Sequence, residues 1–365
     1  MINLHFFPSR RLALYTVKLF LTRSFAVLLS LSLVLMTLNL LSESSKILEV
    51  PGNGEAELWR YVSLRLPQLI SFAFPFSFLL GTLISFVTLN QNSEVIAMKA
   101  AGLSAHQIIA PLIVASIALA GVSFAFNEYV VTKASRTLSA WDGNDYRPLP
   151  PDSGVLSNVW LANGEDMVRA RLVAGGGPAT RLERVTIYDR EGESVARIID
   201  ADTGVPQGDR WRLSGVRLYD SSMNLQRRLP ELTALEGVEP ERFTLAKVDP
   251  DGLDYFSLRQ AIEELRLAGR PTAAVDAALW HKLSSPLSTL LMPLLAAVAA
   301  FGLARSGKVL FRAVLGMGLG FCFFVADNFA LAMGNVGAYP PLLAAWAPFV
   351  LFLLIGETVL IRSEE

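Results

Sequence analysis

The sequence predicts an α-helical membrane protein with six transmembrane helices and an all-β domain inserted between the third and fourth. Three observations predict it. First, 52% of the 365 residues are hydrophobic and only 18% are charged, a balance that ordinary soluble domains do not show. Second, six apolar runs approach or exceed the roughly 20 residues a helix needs to cross a bilayer. Third, about 150 residues without such a run separate the third from the fourth, and they alternate polar and apolar residues as strands do.

The first run is about Ser24–Leu41, with a start as early as Leu12; the next two are Leu66–Leu89 and Ile108–Val131. The last three are about Leu283–Ala304, Leu310–Met333 and Pro341–Ile361. The first is too long for a signal peptide and no small-residue cleavage site follows it. Lys and Arg concentrate on the cytoplasmic side of membrane helices. Arg10, Arg11, Lys18 and Arg23 precede the first run, and Arg305, Lys308 and Arg312 sit between the fourth and fifth. With six spans both regions fall inside, so both termini are expected in the cytoplasm. The insert then lies outside, as does the acidic loop Ser42–Arg65, which holds Glu43, Glu49, Glu55 and Glu57. The predicted parts are residues 1–131, 132–280 and 281–365. Pro75, Pro111, Pro286 and Pro293 are expected to bend their spans, which membrane helices tolerate.

In the insert, "VWLANGEDMVRARLV" alternates around Asn163-Gly164 and "RVTIYDREGESVARIID" around Glu191-Gly192. Both read as hairpins. With "DRWRLSGVRLYD" they predict an antiparallel sandwich or open barrel. Its apolar face, taken as Val185, Ile187, Val195, Ile198, Trp211 and Leu213, requires a partner sheet. "SLRQAIEELRLAGR" then forms an amphipathic helix with Leu258, Ala261, Ile262 and Leu265 on one side, stopped at Gly269 and Pro271.

Several chemistries are excluded or weakened. The single Cys322 forms no internal disulfide, and His5, His106 and His281 lack metal-ligand spacing. No basic stripe with interleaved aromatics points to nucleic acid. "GLARSGKV" has phosphate-loop spacing up to its lysine, but Val309 stands where a magnesium-binding hydroxyl is required. No nucleophile–base pair points to an enzyme.

Asp327 lies inside the fifth run, beside Asn328. A central acid costs about 2.5–3.5 kcal/mol and each large apolar residue returns about 0.3–0.6 kcal/mol, so the run still inserts. Asp327 is expected to face the bundle interior, either as a relay or substrate group or as an interhelical hydrogen-bond partner.

"SEVIAMKAAGLSAHQ", between the second and third runs, is too polar and short to cross a membrane. Ser93 is placed to cap a helix over residues 93–103, Glu94 to meet the positive end of its dipole, and Gly102 to end it. Ser104 and Gln107 form a capping-box pattern for the third span. The helix is either a plain interfacial loop or a lever that presents an acid and an apolar patch (Val95, Ile96, Met98, Leu103) to a cytoplasmic partner.

"NSEVIAMKAAGLS" resembles the segment after the second span in the LptF/LptG family of lipopolysaccharide export permeases. The layout of three spans, β domain and three spans resembles that family along essentially the whole chain. "VWLANGEDMVRA" and "VADNFALAMGNVGAYPPLLAAWAPFVLFLLIG" are closer to its LptG branch. The resemblance implies a permease subunit of an ABC transporter in the inner membrane of a Gram-negative bacterium, with the β domain a periplasmic jellyroll. It implies an LptF-like permease, an LptB-like ATPase dimer, and LptC-like and LptA-like periplasmic partners. This chain would hold no cofactor, since ATP binds the ATPase. The short helix becomes a coupling helix, with Glu94, Val95, Met98 and Lys99 toward the ATPase. Basic residues of the first span would hold the anionic lipid headgroup. Here this chain departs: only Lys46 is basic there, with Thr37 or Asn39 at the inner position, which leaves Arg60 or Arg65 as alternatives and Asp327 and Asn328 as further cavity residues. A non-transporting envelope receptor, or a secondary transporter built on Asp327, are the competing functions.

Overall fold

A computed structural model describes residues 8–149, 156–175, 177–192, 194–244, 248–267, 269–302 and 309–362. The chain forms two compact units. The first comprises Met1–Leu40, Arg65–Thr132 and Leu253–Glu365; the second comprises Leu41–Leu64 and Lys133–Gly252.

Among the described residues, six helices are long and apolar enough to span a membrane. They are α1 (Arg10–Leu48), α2 (Glu55–Gln91), α4 (Ala105–Phe126) with its continuation, α8 (Ala273–Ala297), α9 (Val309–Asn335) and α10 (Pro341–Arg362). The short α3 (Glu94–Ala100) lies between α2 and α4. A π-helical turn at Asn127–Val131 joins α4 to α5 (Thr132–Gly143), so one continuous helix runs from Ala105 to Gly143. Several helices outrun their apolar runs. Apolarity marks the part that suits lipid, while the helix ends only where a breaker stops it. α1 continues through Ser42–Ile47 until Pro51 and Gly52, and α2 starts after Gly54, whose N–H donates to Glu57 at 2.7 Å. α8 begins about ten residues before the apolar run, after Thr272. Pro67, Pro75, Pro111, Pro286 and Pro293 are all taken within helices. The interior of this unit is one apolar cluster that includes Phe20, Phe78, Phe86, Ile108, Leu112, Leu291 and Leu295. The phosphate-loop-like residues 303–308 lie outside the described residues.

In the second unit, six strands form one antiparallel meander. They are β1 (Leu156–Asn163), β2 (Asp166–Ala174), β3 (Arg181–Glu191), β4 (Ser194–Gln207), β5 (Arg210–Asp220) and β6 (Leu225–Ala234). Asn163 pairs with Asp166, Glu191 with Ser194, and Gln207 with Arg210. Each two-residue loop therefore opens with a glycine (Gly164, Gly192, Gly208), all at positive φ, the position where a tight hairpin turn demands one. The first two hairpins thus occur where expected, with the turn one residue later than the Asn163-Gly164 and Glu191-Gly192 centres.

The expected partner sheet is absent among the described residues. The apolar face is covered instead by the chain after β6: Leu235, Val238 and Phe243, the last on the short α6 (Pro240–Thr244), join Val168, Val185, Trp211 and Leu213 in one core. Trp211 donates its indole N–H to the Val238 carbonyl at 2.7 Å and meets Phe243 edge-on at 5.1 Å. The expected core positions of β4 need correction. Ile199 and Ala201 are buried, whereas Val195 and Ile198 are not. Asp189 pairs with Arg197 but Arg190 with Val195, so Ala196 is an extra residue that moves Val195 onto the face of Ile198, opposite Ile199; of the two adjacent isoleucines it is Ile199 that pairs with the buried Ile187.

The same unit holds a polar-aromatic knot. Tyr146 is buried against Trp141 and Tyr61, and its hydroxyl donates to Glu43 at 3.0 Å. Burial, aided by Asp142 and Glu43, pushes the Tyr146 phenol well above its ordinary range.

In the first unit, α7 (Tyr255–Leu267) buries Leu258, Ala261, Ile262 and Leu265, as the sequence pattern predicts.

Candidate functional site

The short helix α3 is fixed at its C-terminal end and along one face. Its C-terminus closes with two backbone bonds, Gly102 N–H to the Lys99 carbonyl at 2.9 Å and Leu103 N–H to the Met98 carbonyl at 3.1 Å. This is a Schellman cap; it requires a left-handed residue, here Gly102 at φ 85°. The next helix starts two residues on, where Ser104 and Gln107 complete the predicted capping box. At the other end Ser93 departs from expectation. It sits in the left-handed region at φ 59° and its side chain makes no capping bond. A residue there turns the chain sharply between α2 and α3, and this geometry aims its hydroxyl away from the helix N–H groups.

The faces of α3 are sharply unequal. Val95 and Met98 are buried in the same apolar cluster as Phe86, Leu89, Ile108 and Ile109. They seat the helix on its own bundle. Ile96, Lys99 and Ala100 face outward, and Ile96 is 66% exposed. Of the four residues expected to face a partner, Val95 and Met98 are therefore inside, Lys99 is outside, and Glu94 is half-buried. The Glu94 carboxylate accepts a hydrogen bond from the Tyr15 hydroxyl of α1 at 3.2 Å and one from the Asn92 amide at 3.1 Å. Sequence reasoning missed Tyr15, because nothing local links positions so distant in the chain. On the same side of the bundle, His106 at the start of α4 lies 3.3 Å from Glu357 of α10.

The basic residues considered for an anionic ligand are not equivalent. Lys46 pairs with Glu43 one turn earlier at 2.9 Å. Arg60 lies over the Trp141 ring, 4.8 Å from its centre. Arg65, at the start of the apolar part of α2, donates from Nε to Asn39 of α1 at 3.0 Å and from a terminal nitrogen to Gln68 at 2.5 Å. Both of these partners are neutral, and no carboxylate among the described residues pairs with Arg65. The guanidinium thus stands, with its charge uncompensated, against the position on the first span where the sequence lacks a base.

Asp327 is not a lone acid. His281 of α8 reaches it at 3.0 Å, and both side chains are mostly buried. Asn328 turns outward and returns its amide to the Phe324 carbonyl of its own helix at 2.9 Å. The neighbour of His281, Lys282, faces Glu128 of the π turn at 3.6 Å. The Glu128 carboxylate also accepts the backbone N–H of Tyr255, the first residue of α7, at 2.5 Å. Sequence analysis left Glu128 and Lys282 unread; a "HK" pair entering an apolar run was the available signal. No cluster of His, Cys, Asp or Glu suited to a metal occurs among the described residues.

The model of the family described as "Lipopolysaccharide export system permease LptF/LptG" matches residues 14–362. The chain is similar to the lipopolysaccharide export system permease protein LptG of Escherichia coli K12, 27% identical over 316 residues that cover 83% of this chain and 85% of the relative. It is also similar to LptG of Haemophilus influenzae, 25% identical over 347 residues that cover 91% of this chain and 94% of the relative.

Proposed function

Given that the chain belongs to the LptF/LptG family of lipopolysaccharide export permeases, we propose that it is the LptG-type subunit of an ABC transporter. It lies in the inner membrane with both termini in the cytoplasm and the β unit in the periplasm. With an LptF-like permease it forms the transmembrane part, and an LptB-like ATPase dimer binds and hydrolyses ATP. The complex extracts lipopolysaccharide from the membrane and passes it through the β unit toward LptC-like and LptA-like proteins.

The observation that carries this reading is α3. An isolated helix this short is unstable in water, yet this one is capped at its C-terminus, seated by Val95 and Met98, and leaves Ile96 and Lys99 outward beside Glu94. That is the form of a rigid knob for a partner to push. Arg65 supports the lipid half of the reading. An anionic headgroup phosphate suits a guanidinium whose own partners are neutral.

Gentle purification of the tagged chain from its native membrane tests the proposal. It predicts a co-purifying ATPase, a second six-span permease and bound lipopolysaccharide. Glu94→Arg should abolish export with folded protein still present, because it reverses the charge at the knob. Normal export in that variant, or a chain that purifies without any ATPase under conditions that preserve other such complexes, would move the assignment to an envelope receptor.

A further inference from the structure

We infer that α1 works as a lever tied to α3 through Tyr15, and that Tyr15 is a positioning residue for transport. The inference rests on the coupling role proposed for α3. Three contacts carry it. Near one end of α1, the Tyr15 hydroxyl donates to Glu94, and Leu12, Leu19 and Phe20 share the apolar cluster with Val95 and Met98. In the middle, α1 crosses α2 at its closest approach. A Cβ placed on Gly81 would lie 2.1 Å from the Ser24 hydroxyl oxygen and 2.6 Å from its Cα, so at this point the two backbones touch. Farther along, Asn39 holds the Arg65 guanidinium.

A helix rises 1.5 Å per residue, so Tyr15 lies about 14 Å from the Ser24 crossing and Asn39 about 22 Å beyond it. A stiff helix pivoting at Ser24 turns a 1 Å push at Tyr15 into a shift of about 1.6 Å at Asn39, in the opposite sense. The remaining surroundings allow it. The apolar window of α1 is 22% buried, as is that of α9, against 72% for that of α8; unlike α9, α1 has no ion pair among the described residues to a neighbouring helix of its unit. Leu29, Leu33, Val34 and Leu38 are all more than half exposed. Motion of α3 therefore reaches the Asn39–Arg65 contact, where it loosens or tightens the hold on an anionic ligand.

The test uses the full complex in liposomes, with spin labels on Leu38 of α1 and Val122 of α4. Wild type should change the distance between the labels when the ATPase is trapped with vanadate. Tyr15→Phe removes only the hydroxyl. It should keep ATP hydrolysis, lose the distance change, and release about threefold less lipid per ATP, the low end for one hydrogen bond, since this one is 3.2 Å long and exposed. Unchanged distance change and unchanged lipid per ATP in Tyr15→Phe would overturn the lever. Glu94→Arg in the same assay separates the two ideas. If it leaves the ATPase bound and coupled, the role of α3 itself fails; if it uncouples the ATPase while Tyr15→Phe behaves as wild type, only the tie fails.

Discussion

Changing Glu128 to Gln leaves the Lys282 ammonium buried opposite a neutral amide. The two side chains are 8% and 15% exposed with 3.6 Å between charges. At an effective dielectric of 20 that pair is worth about 5 kcal/mol. Removal of one partner from a buried pair costs about 3–5 kcal/mol, because the other charge stays behind. Glu128→Gln is a clean perturbation, since the amide oxygen can still accept the Tyr255 N–H that the carboxylate holds at 2.5 Å. With an unfolding entropy of about 2.1 cal/mol/K per residue, this loss lowers the apparent thermal midpoint in detergent by about 4–7 °C. Lys282→Met should cost a similar amount. The double variant should recover most of the loss, since it removes both charges together. The measurement is the midpoint of all four proteins at one scan rate. Two singles within about 0.5 kcal/mol of wild type, with no coupling in the cycle, would refute the claim that this pair holds α4 to α8.

Trp211→Ala should destabilise the β unit by about 3–5 kcal/mol, since it empties the middle of the core and leaves the Val238 carbonyl without its donor; limited proteolysis of the full chain should then cut within β4–β6, and wild-type resistance would contradict a Trp211-centred core. Asp254→Ala should fray the start of α7 by about 1 kcal/mol, because the Asp254 carboxylate accepts the Ser257 N–H at 2.9 Å. That backbone bond, with the Ser257 hydroxyl, holds the Asp254 pKa below its ordinary value. Its stabilisation is thus complete above the unfolded value of about 3.9 and is lost as pH falls through the depressed folded value; the protection factor of the Ser257 amide, taken against its intrinsic rate at each pH, should fall in acid in wild type and be low already at neutral pH in the variant, and a wild-type protection factor that does not change with pH would count against it. Arg65→Gln should weaken lipopolysaccharide co-purification about tenfold or more, as loss of a charge-assisted contact does, whereas Lys46→Gln should change it little because Glu43 already neutralises that base; equal effects would remove the distinction.

What the sequence made legible follows from range. Patterns that close within a few residues were readable: the six apolar runs, the hairpin glycines, the buried side of α7, and the Ser104–Gln107 capping box. Ser93 misled because a capping residue type says nothing about backbone angles, and a left-handed residue was needed to turn from α2 into α3. Val95 and Met98 were expected to face a partner, but periodicity gives an apolar face without saying what covers it. Their own bundle does. The β4 error has two origins: the extra residue Ala196 moves Val195 to the other face, and alternation alone does not say which of the adjacent Ile198 and Ile199 is inside. The polar contacts of the helical unit join helices far apart in sequence: Asp327 and the His281-Lys282 pair stand out in their apolar runs, but nothing local names their partners, nor links Tyr15 to Glu94.

Those contacts divide the helices into two mechanical classes. Successive residues on a helix point about 100° apart, so His281 and Lys282 on one turn of α8 reach two different neighbours, Asp327 on α9 and Glu128 at the end of α4. Nearer the α3 side, His106 of α4 meets Glu357 of α10. Lipid tails are as apolar as leucine, so apolar contact alone gives membrane helices little reason to keep one register. A buried charge does, because sliding past its partner strands it in a medium where it costs several kcal/mol. α4, α8 and α9 are therefore pinned to one another, whereas the His106–Glu357 pair that reaches α10 is 31% and 44% exposed and holds it less firmly. α1 meets α3 and α2 through hydrogen bonds toward its ends, with a glycine crossing between them. A push on α3 meets a stiff block on one side and a pivoting helix on the other, and the helix is what yields.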